Sequence, residues 1–236
     1  MGDVEGLKRD AAFAAVDRYV ESGMTVGLGS GTTAAFVVAR MGELISAGAL
    51  RGVRGVPTSE RTAALAREVG VPLATLSEAR PVLTLDGADE IAPDLAVIKG
   101  RGGALLREKI VAAASERGLV IVADGSKPVD TLGVGPLPVE VEPYGWSRTL
   151  EALATLGCEP ELRPDLTDPQ GPPFVTDGGH YTADCLFPDG IPDPASLEAE
   201  IKRISGALEC GLFVGLVRAA VVAGDEGLEI REAGEA

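Results

Sequence analysis

The stretch VGLGSGTTAA, residues 26–35, joins a short apolar run to a helix-forming segment through three glycines. The apolar residues at 24–28 predict a strand, and residues 32–47 predict a helix. A strand, a glycine-rich turn and a helix in this order open a βαβ unit. The stretch therefore predicts an α/β fold built on a parallel sheet.

The alternation of strand and helix repeats outward from this turn. An amphipathic helix is predicted before it, at 6–20, and the near-continuous apolar run at 119–123 is typical of a parallel strand buried on both faces. Pro72 places the strand predicted at 71–75 on a sheet edge. The other predicted segments are strands at 53–57 and 81–85 and helices at 59–69 and 104–117.

The pattern changes after about residue 130, where a turn-rich joint precedes shorter segments. Strands are predicted at 137–141, 159–163, 174–176 and 181–187, and helices at 146–156 and 196–204. The apolar runs at 212–216 and 219–223 are expected to rejoin the first sheet. We therefore predict a Rossmann-like, mostly parallel sheet with helices on both faces, and a small α+β (ferredoxin-like) inserted domain. The predicted boundaries are 1–130 with 206–236 for the first domain and 131–205 for the second.

Charge and composition exclude several classes of protein. The 236 residues carry 36 acidic and 21 basic side chains, a net charge of -15, which argues against nucleic-acid or membrane-surface binding. No apolar run reaches the roughly 18 residues that span a bilayer, and no signal peptide is visible. Cys158, Cys185 and Cys210 form no CxxC pair, so we expect reduced thiols in a cytoplasmic protein.

The glycine-rich turn predicts an anion site. Its glycines expose backbone N–H groups, the helix N-terminus adds partial positive charge, and Ser30, Thr32 and Thr33 add hydroxyl groups. The alternative is a plain turn capped by Thr32. A dinucleotide site needs glycine at position 32 and a carboxylate after the next strand, and a Walker loop needs Gly-Lys-Ser/Thr. None of these is present, so the turn favours a small phosphorylated ligand.

Three carboxylates follow the strand predicted at 81–85. Asp86, Asp89 and Glu90 stand in LDGADE, residues 85–90, where a strand end points toward an active site in open α/β sheets. The spacing does not match a calcium loop. A magnesium site on Asp86 and Asp89 and a solvated acidic turn both remain alternatives.

Lysine is rare in this chain, which has 16 arginines and five lysines. Lys99 precedes the glycine-rich loop 100–103, and Lys127 lies in a turn after a predicted strand. A compact ammonium group suits a small anion, so these positions favour ligand contacts. Glu108 lies about two turns into the next predicted helix. Considered alone, it would be a surface partner for Arg107 or Lys109.

These motifs together resemble the type A ribose-5-phosphate isomerase family over nearly the whole chain. The family loop GLGTGSTA is similar to GLGSGTTA, and its KGGGGALLREK is similar to KGRGGALLREK. The departures are the exchanged hydroxyl types of Ser30 and Thr32, Arg101 for a glycine, Cys210 for the usual asparagine, and His180 where asparagine is common. The matching segments are 27–34, 58–62, 86–90, 99–109, 124–127, 136–141 and 209–215.

The resemblance implies that the chain interconverts ribose 5-phosphate and ribulose 5-phosphate through an enediol, in the non-oxidative pentose phosphate pathway. It implies Glu108 as the base that moves a proton between C2 and C1, and Asp86 as the residue that assists ring opening. Asp89 would bind hydroxyls and orient Lys99, which stabilises the oxyanion together with the backbone of loop 100–103. The implied substrate-binding residues are Ser30, Gly31, Thr32, Thr33, Asp86, Gly87, Ala88, Asp89, Lys99, Gly100, Arg101, Gly102 and Lys127, with Lys8 as a further phosphate candidate.

The resemblance also implies a sugar phosphate as the partner, no cofactor, no metal, and a homodimer or homotetramer. His180 is the single histidine, whereas a hydride-shift isomerase needs a metal held by several histidine and carboxylate ligands. Two other functions stay open. One is a sugar-phosphate-sensing regulator, and the other is an acyl-CoA-type transferase with a glutamate nucleophile.

Arg101 is the departure nearest the chemistry. A glycine in its place suggests a positive φ or a close approach of backbone to ligand. Because a left-handed conformation would cost arginine roughly 1–2 kcal/mol, we expect position 101 to avoid positive φ. Its side chain should point toward solvent or an acidic neighbour, with the backbone left to the substrate.

Overall fold

The computed structural model describes residues 3–165 and 168–234. In these residues the helices are α1 (Val4–Tyr19), α2 (Gly31–Ser46), α3 (Glu60–Glu68), α4 (Leu105–Ala114), α5 (Trp146–Ala154) and α6 (Pro194–Ile201). The strands are β1 (Thr25–Leu28), β2 (Arg54–Pro57), β3 (Leu83–Asp86), β4 (Glu90–Ile91), β5 (Val97–Ile98), β6 (Leu119–Asp124), β7 (Leu137–Val141), β8 (Glu159–Leu162), β9 (Pro164–Asp165), β10 (Asp168–Pro173), β11 (Tyr181–Leu186), β12 (Ala207–Cys210), β13 (Leu212–Phe213), β14 (Val217–Gly224) and β15 (Gly227–Glu232).

The chain forms two compact units. The first contains the described parts of residues 1–88, 107–128 and 215–236, and the second contains 89–106 and the described part of 129–214. The predicted domain division at residues 130 and 205 stays a prediction. The compact units assign 89–106 and 206–214 to the second unit, because β4 and β5 pair with β13 there.

The first unit is built on a six-stranded sheet in the order β15-β14-β6-β3-β1-β2. The strands from β14 to β2 are parallel, and β15 pairs antiparallel with β14. Val26 and Leu28 of β1 belong to the buried cluster that includes residues of α1 and α2. Gly27 faces the opposite side, where a Cβ atom would lie 2.8 Å from Val111 of α4. The predicted α/β fold with helices on both faces is confirmed.

The second unit is an α+β structure. Its largest sheet is antiparallel in the order β12-β7-β11-β8, and a smaller sheet has the order β13-β5-β4. Its buried cluster includes Val139 of β7, Leu153 of α5 and Ile201 of α6. Cys158, Cys185 and Cys210 are buried in this unit, and none of the three forms a disulfide.

Several predicted segments differ from the structure. Residues 71–75 contribute a single bridge, Leu73 to Gly55, and the strand predicted at 174–176 lies earlier, at β10. The run at 212–216 does not rejoin the first sheet, because its β13 pairs with β5, whereas 219–223 does rejoin it within β14. Two-residue strands such as β4, β5 and β13 are too short to show a period of two. No helix in the part of the chain that the structure describes is long and apolar enough to cross a membrane.

Candidate active site

The glycine-rich turn leads directly into α2. The helix begins at Gly31, whose φ of +88° is a left-handed conformation that favours glycine. Ser30 is the N-cap residue, but its side chain makes no capping hydrogen bond. Its Oγ instead lies 2.7 Å from Oγ1 of Thr58. The N-cap is therefore Ser30 and not Thr32, and the Ser30 side chain does not cap the N–H groups of the first turn.

Two threonines of the second predicted loop support this turn. The Thr58 hydroxyl donates to the carbonyl of Leu28 at 3.0 Å, and the Thr62 hydroxyl donates to the carbonyl of Gly29 at 2.9 Å. Both threonines are buried. They hold the backbone of the turn from the side of α3.

Asp86, the last residue of β3, is hydrogen-bonded to the same turn. Its Oδ1 accepts hydrogen bonds from the N–H groups of Ser30 at 3.0 Å and of Gly87 at 2.7 Å. The residue is completely buried. A Cβ atom on Gly29 would lie 2.0 Å from Asp86 Oδ1, so the turn needs glycine there. A solvated acidic turn is therefore the wrong interpretation for Asp86.

A cationic group lies near the N-terminal turn of α2. Nζ of Lys8 lies 3.2 Å from Oγ1 of Thr32. Burial raises the pKa of Asp124, but hydrogen bonds from Ser126 and the charges of Lys127 and Lys8 outweigh it and lower that pKa below its usual range. Asp124 therefore stays ionised and holds Lys127 and Lys8 by charge. The arrangement supports Lys8, a secondary candidate from the sequence, as well as Lys127.

Glu108 is buried rather than exposed. It lies in the first turn of α4, not two turns in, and only 3% of its surface is exposed. Its neighbour Arg107 pairs with Glu60 at 2.9 Å. The expectation that Glu108, considered alone, lies at the surface is therefore wrong. A buried carboxylate in this position is suited to proton transfer.

In the second unit, Lys99 leads the predicted glycine-rich loop. It is buried, its N–H donates to the carbonyl of Gly211 at 2.9 Å, and its Nζ lies 5.6 Å from the ring centre of Phe213. Gly100 and Gly103 have φ values of +103° and +82°. A Cβ atom on Gly211 would lie 2.1 Å from the Lys99 carbonyl oxygen, so this contact also requires glycine.

Arg101 has the φ and the acidic side-chain neighbour expected for it, but its backbone N–H is bound to Asp89 and is not left to the substrate. It is absent from the positive-φ residues, which among the described non-glycine residues include only Leu95. Its Nη2 lies 2.6 Å from Oε1 of Glu90, and its N–H donates to Oδ2 of Asp89 at 3.0 Å. Glu90 also accepts N–H groups of Gly133, Val134 and Gly135, so its carboxylate is structural and buried rather than solvated.

A possible metal-ligating cluster lies elsewhere in the second unit. Among the described residues, Glu198, Glu209 and Cys210 form a group with suitable ligand separations. Lys202 pairs with both glutamates, at 3.3 and 3.6 Å, and already supplies positive charge there. None of these residues belongs to the predicted site.

The comparisons with known proteins agree with these motifs. The family model for Ribose 5-phosphate isomerase A (phosphoriboisomerase A) matches residues 54–227. A curated relative from Gloeobacter violaceus, named Ribose-5-phosphate isomerase A, is 55% identical over 231 residues, covering 97% of this chain and 96% of the relative.

Two solved structures share the whole fold. Ribose 5-phosphate isomerase from Plasmodium falciparum has a TM-score of 0.92 and 36% identity, covering 98% of this chain and 100% of that one. A D-ribose-5-phosphate isomerase in complex with phospho-erythronic acid has a TM-score of 0.93 and 35% identity, covering 98% and 99%. With the family model matching most of its length, the chain belongs to the ribose-5-phosphate isomerase A family.

Proposed function

We propose that this protein interconverts D-ribose 5-phosphate and D-ribulose 5-phosphate, as an aldose-ketose isomerase. The observation that carries the proposal is the 55% identity, over 97% of the chain, to a relative named for this enzyme. The geometry supports it, because the two carboxylates that the chemistry needs, Asp86 at the end of β3 and Glu108 in α4, are buried.

The first step opens the sugar ring. A base must remove the O1 proton while an acid protonates the ring oxygen, which leaves the C1 aldehyde. We assign the assisting role to Asp86, whose Oδ1 is fixed by the N–H groups of Ser30 and Gly87. Fixed carboxylates of this kind act as general acids or bases without reorganising during the reaction.

The second step moves a proton from C2 to C1. The Glu108 carboxylate takes the C2 proton, the C–H electrons form the C1=C2 bond, and the carbonyl electrons move to O1. Glu108 then returns the proton to C1 while the O2 proton is lost and O1 is protonated, which leaves the C2 ketone. We propose that Lys99 and the Gly102 N–H of loop 100–103 stabilise the negative charge on oxygen.

The phosphate group is proposed to bind at the N-terminal turn of α2. Gly31, Thr32 and Thr33 would donate N–H and hydroxyl groups, and Lys127 and Lys8 would supply charge. This local charge is needed because the net charge of -15 repels a phosphate at long range. Gly87, Ala88, Asp89 and Gly102 complete the proposed substrate contacts.

We expect the purified protein to form ribulose 5-phosphate from ribose 5-phosphate, at the same rate after EDTA treatment. The proposed steps use side chains and backbone N–H groups alone. A direct spectrophotometric assay of ketose formation, with and without chelator, measures this. Absence of ketose formation would refute the function. Activity that EDTA removes and magnesium or manganese restores would indicate a metal at the carboxylates of segment 86–90.

Replacing Lys127 by alanine is expected to raise KM for ribose 5-phosphate about tenfold, with a smaller change in kcat. A charge-assisted hydrogen bond to phosphate contributes about 1.5–3 kcal/mol to binding in both ground and transition states. Lys202→Ala is the matched control, since Lys202 pairs with Glu198 and Glu209. A change in kcat alone would show that Lys127 acts mainly in the transition state.

We also propose that the protein is cytoplasmic and forms a homodimer or homotetramer. Three buried cysteines that form no disulfide support a reducing compartment. Exposed apolar side chains of the second unit, among them Val175 at 51% and Leu186 at 41%, support self-association. Sedimentation equilibrium at several protein concentrations distinguishes the monomer, dimer and tetramer.

A further inference from the structure

We propose that Arg163 is a positioning residue that orients the Gly102 N–H of loop 100–103 toward the oxyanion of the enediol. The inference rests on the proposed function, because that function gives the loop its role. Arg163 follows β8 in the second unit and is separated from the loop by about 60 residues of sequence. Nothing in the motifs of the chain points to it.

Arg163 donates hydrogen bonds to carbonyl groups of loop 100–103. Its Nη1 donates to the carbonyl of Gly100 at 3.1 Å and to the carbonyl of Arg101 at 3.0 Å. The carbonyl of Gly100 also accepts the N–H of Gly103 at 2.9 Å, which closes the turn. One guanidinium nitrogen therefore contacts two consecutive peptide groups of a four-residue turn.

The guanidinium group is itself held in place. Asp184 on β11 accepts from Nε at 2.8 Å and from Nη2, which makes a bidentate pair. The ring centre of Phe174 lies 5.8 Å from Cζ, and the Arg163 side chain is 12% exposed. The Phe174 ring also reaches the loop, since a Cβ atom on Gly103 would lie 2.4 Å from its Cζ. Arg163 is thus a rigid support rather than a mobile surface charge.

The peptide geometry determines where the N–H groups of the loop point. In a trans peptide the C=O of one residue and the N–H of the next point in opposite directions. Because the carbonyls of Gly100 and Arg101 point to Arg163, the N–H groups of Arg101 and Gly102 point away from it. The Arg101 N–H accordingly reaches Oδ2 of Asp89 at 3.0 Å. We therefore assign the Gly102 N–H to the oxyanion and the Arg101 N–H to holding Asp89.

Arginine suits this task better than lysine does. A planar guanidinium presents five N–H donors in fixed directions, so one side chain can bind Asp184 and two carbonyls together. An ammonium group has three donors at one nitrogen and cannot make all four of these hydrogen bonds. Asp184 also neutralises the charge of Arg163. We therefore assign Arg163 to orienting backbone groups and not to phosphate binding.

Arg163→Met is expected to lower kcat at least tenfold, with KM within threefold of the wild type. Oriented N–H donors contribute most when negative charge develops on oxygen, so their loss affects the transition state more than substrate binding. Affinity for phospho-erythronic acid, whose carboxylate resembles the enediolate, should fall at least tenfold in calorimetry. Arg163→Lys should recover part of kcat, and Asp184→Asn should cause a smaller loss in the same direction.

Arg40→Met is the matched control. Arg40 makes a bidentate pair with Asp17, at 3.0 Å for both contacts, and its Cζ lies 4.9 Å from the ring centre of Phe13. Arg40→Met therefore removes a bidentate carboxylate pair and an aromatic contact, as Arg163→Met does, but leaves loop 100–103 untouched. Thermal unfolding of both variants measures the loss of stability, and we expect Arg40→Met to keep the wild-type kcat.

Amide hydrogen exchange gives a test that does not depend on activity. The N–H groups of Arg101 and Gly103 should exchange at least tenfold faster in Arg163→Met than in the wild type, and remain unchanged in Arg40→Met. Unchanged exchange and kcat in Arg163→Met would overturn the inference, as would an equal kcat loss in both variants. If the wild type has no isomerase activity, the proposed function fails, and with it the catalytic role of Arg163. Faster exchange would then establish only that Arg163 supports the loop.

Discussion

Glu108→Gln is expected to lower kcat by about 10²- to 10⁴-fold, the range that a positioned general base contributes. Glutamine has nearly the same shape as glutamate, but its amide cannot take the C2 proton. Because Glu108 is only 3% exposed, bulk water has little access to replace it as a base. The proton has to leave C2 and return to C1 in the same turnover, so both halves of the transfer are lost.

Steady-state kinetics and calorimetry together measure this effect. Phospho-erythronic acid should bind Glu108→Gln within tenfold of the wild type, which would show that the site is intact. Glu60→Gln is the control on the neighbouring surface, where Glu60 pairs with Arg107. If Glu108→Gln kept kcat within tenfold of the wild type, Glu108 would not be the transferring base.

Gly29→Ala is expected to reduce kcat/KM at least a hundredfold. The new methyl group would lie 2.0 Å from Oδ1, 2.1 Å from Cγ and 2.5 Å from Cβ of Asp86, so the whole side chain has to move. Its hydrogen bonds to the N–H groups of Ser30 and Gly87 would break. One methyl group therefore disturbs both the ring-opening carboxylate and the phosphate turn. Overpacking of this kind also costs about 1–3 kcal/mol of stability.

Gly224→Ala controls for the loss of a glycine as such. Gly224 lies at the end of β14, and a Cβ atom there meets no atom within 4 Å. We expect this variant to keep wild-type kinetics and unfolding temperature. Gly29→Ala with kcat/KM within threefold of the wild type would show that Asp86 can move without consequence for catalysis.

The sequence predicted the parts of the fold that local patterns encode. Apolar runs such as 119–123 and the glycine turn before α2 indicated a parallel sheet with helices on both faces, and the structure has this sheet. The shortest strands were not predicted, and the reason is physical. β4, β5 and β13 contain two residues each, and the pairing of β5 with β13 joins segments more than a hundred residues apart in the chain.

The candidate site also contains features that the sequence predicted and features that it did not. Asp86, Lys99, Lys127 and the 30–33 turn were predictable because each belongs to a short motif whose residue types already suit phosphate or proton chemistry. The burial of Glu108 was not predictable from its neighbours. In a helix between Arg107 and Lys109 it has the local pattern of a surface residue, and only packing removes it from water.

The sequence by itself determined the chemical groups, their order and the glycine turns that present them, because these depend on residue type and on local backbone conformation. The tertiary structure decided which distant groups support them. Arg163 reaches the carbonyls of Gly100 and Arg101 across more than 60 residues of chain, and Lys8 reaches Thr32 across 24. Such contacts have no period or motif, since the partner of a hydrogen bond is chosen by the folded backbone that brings the two groups within 3 Å or so of each other.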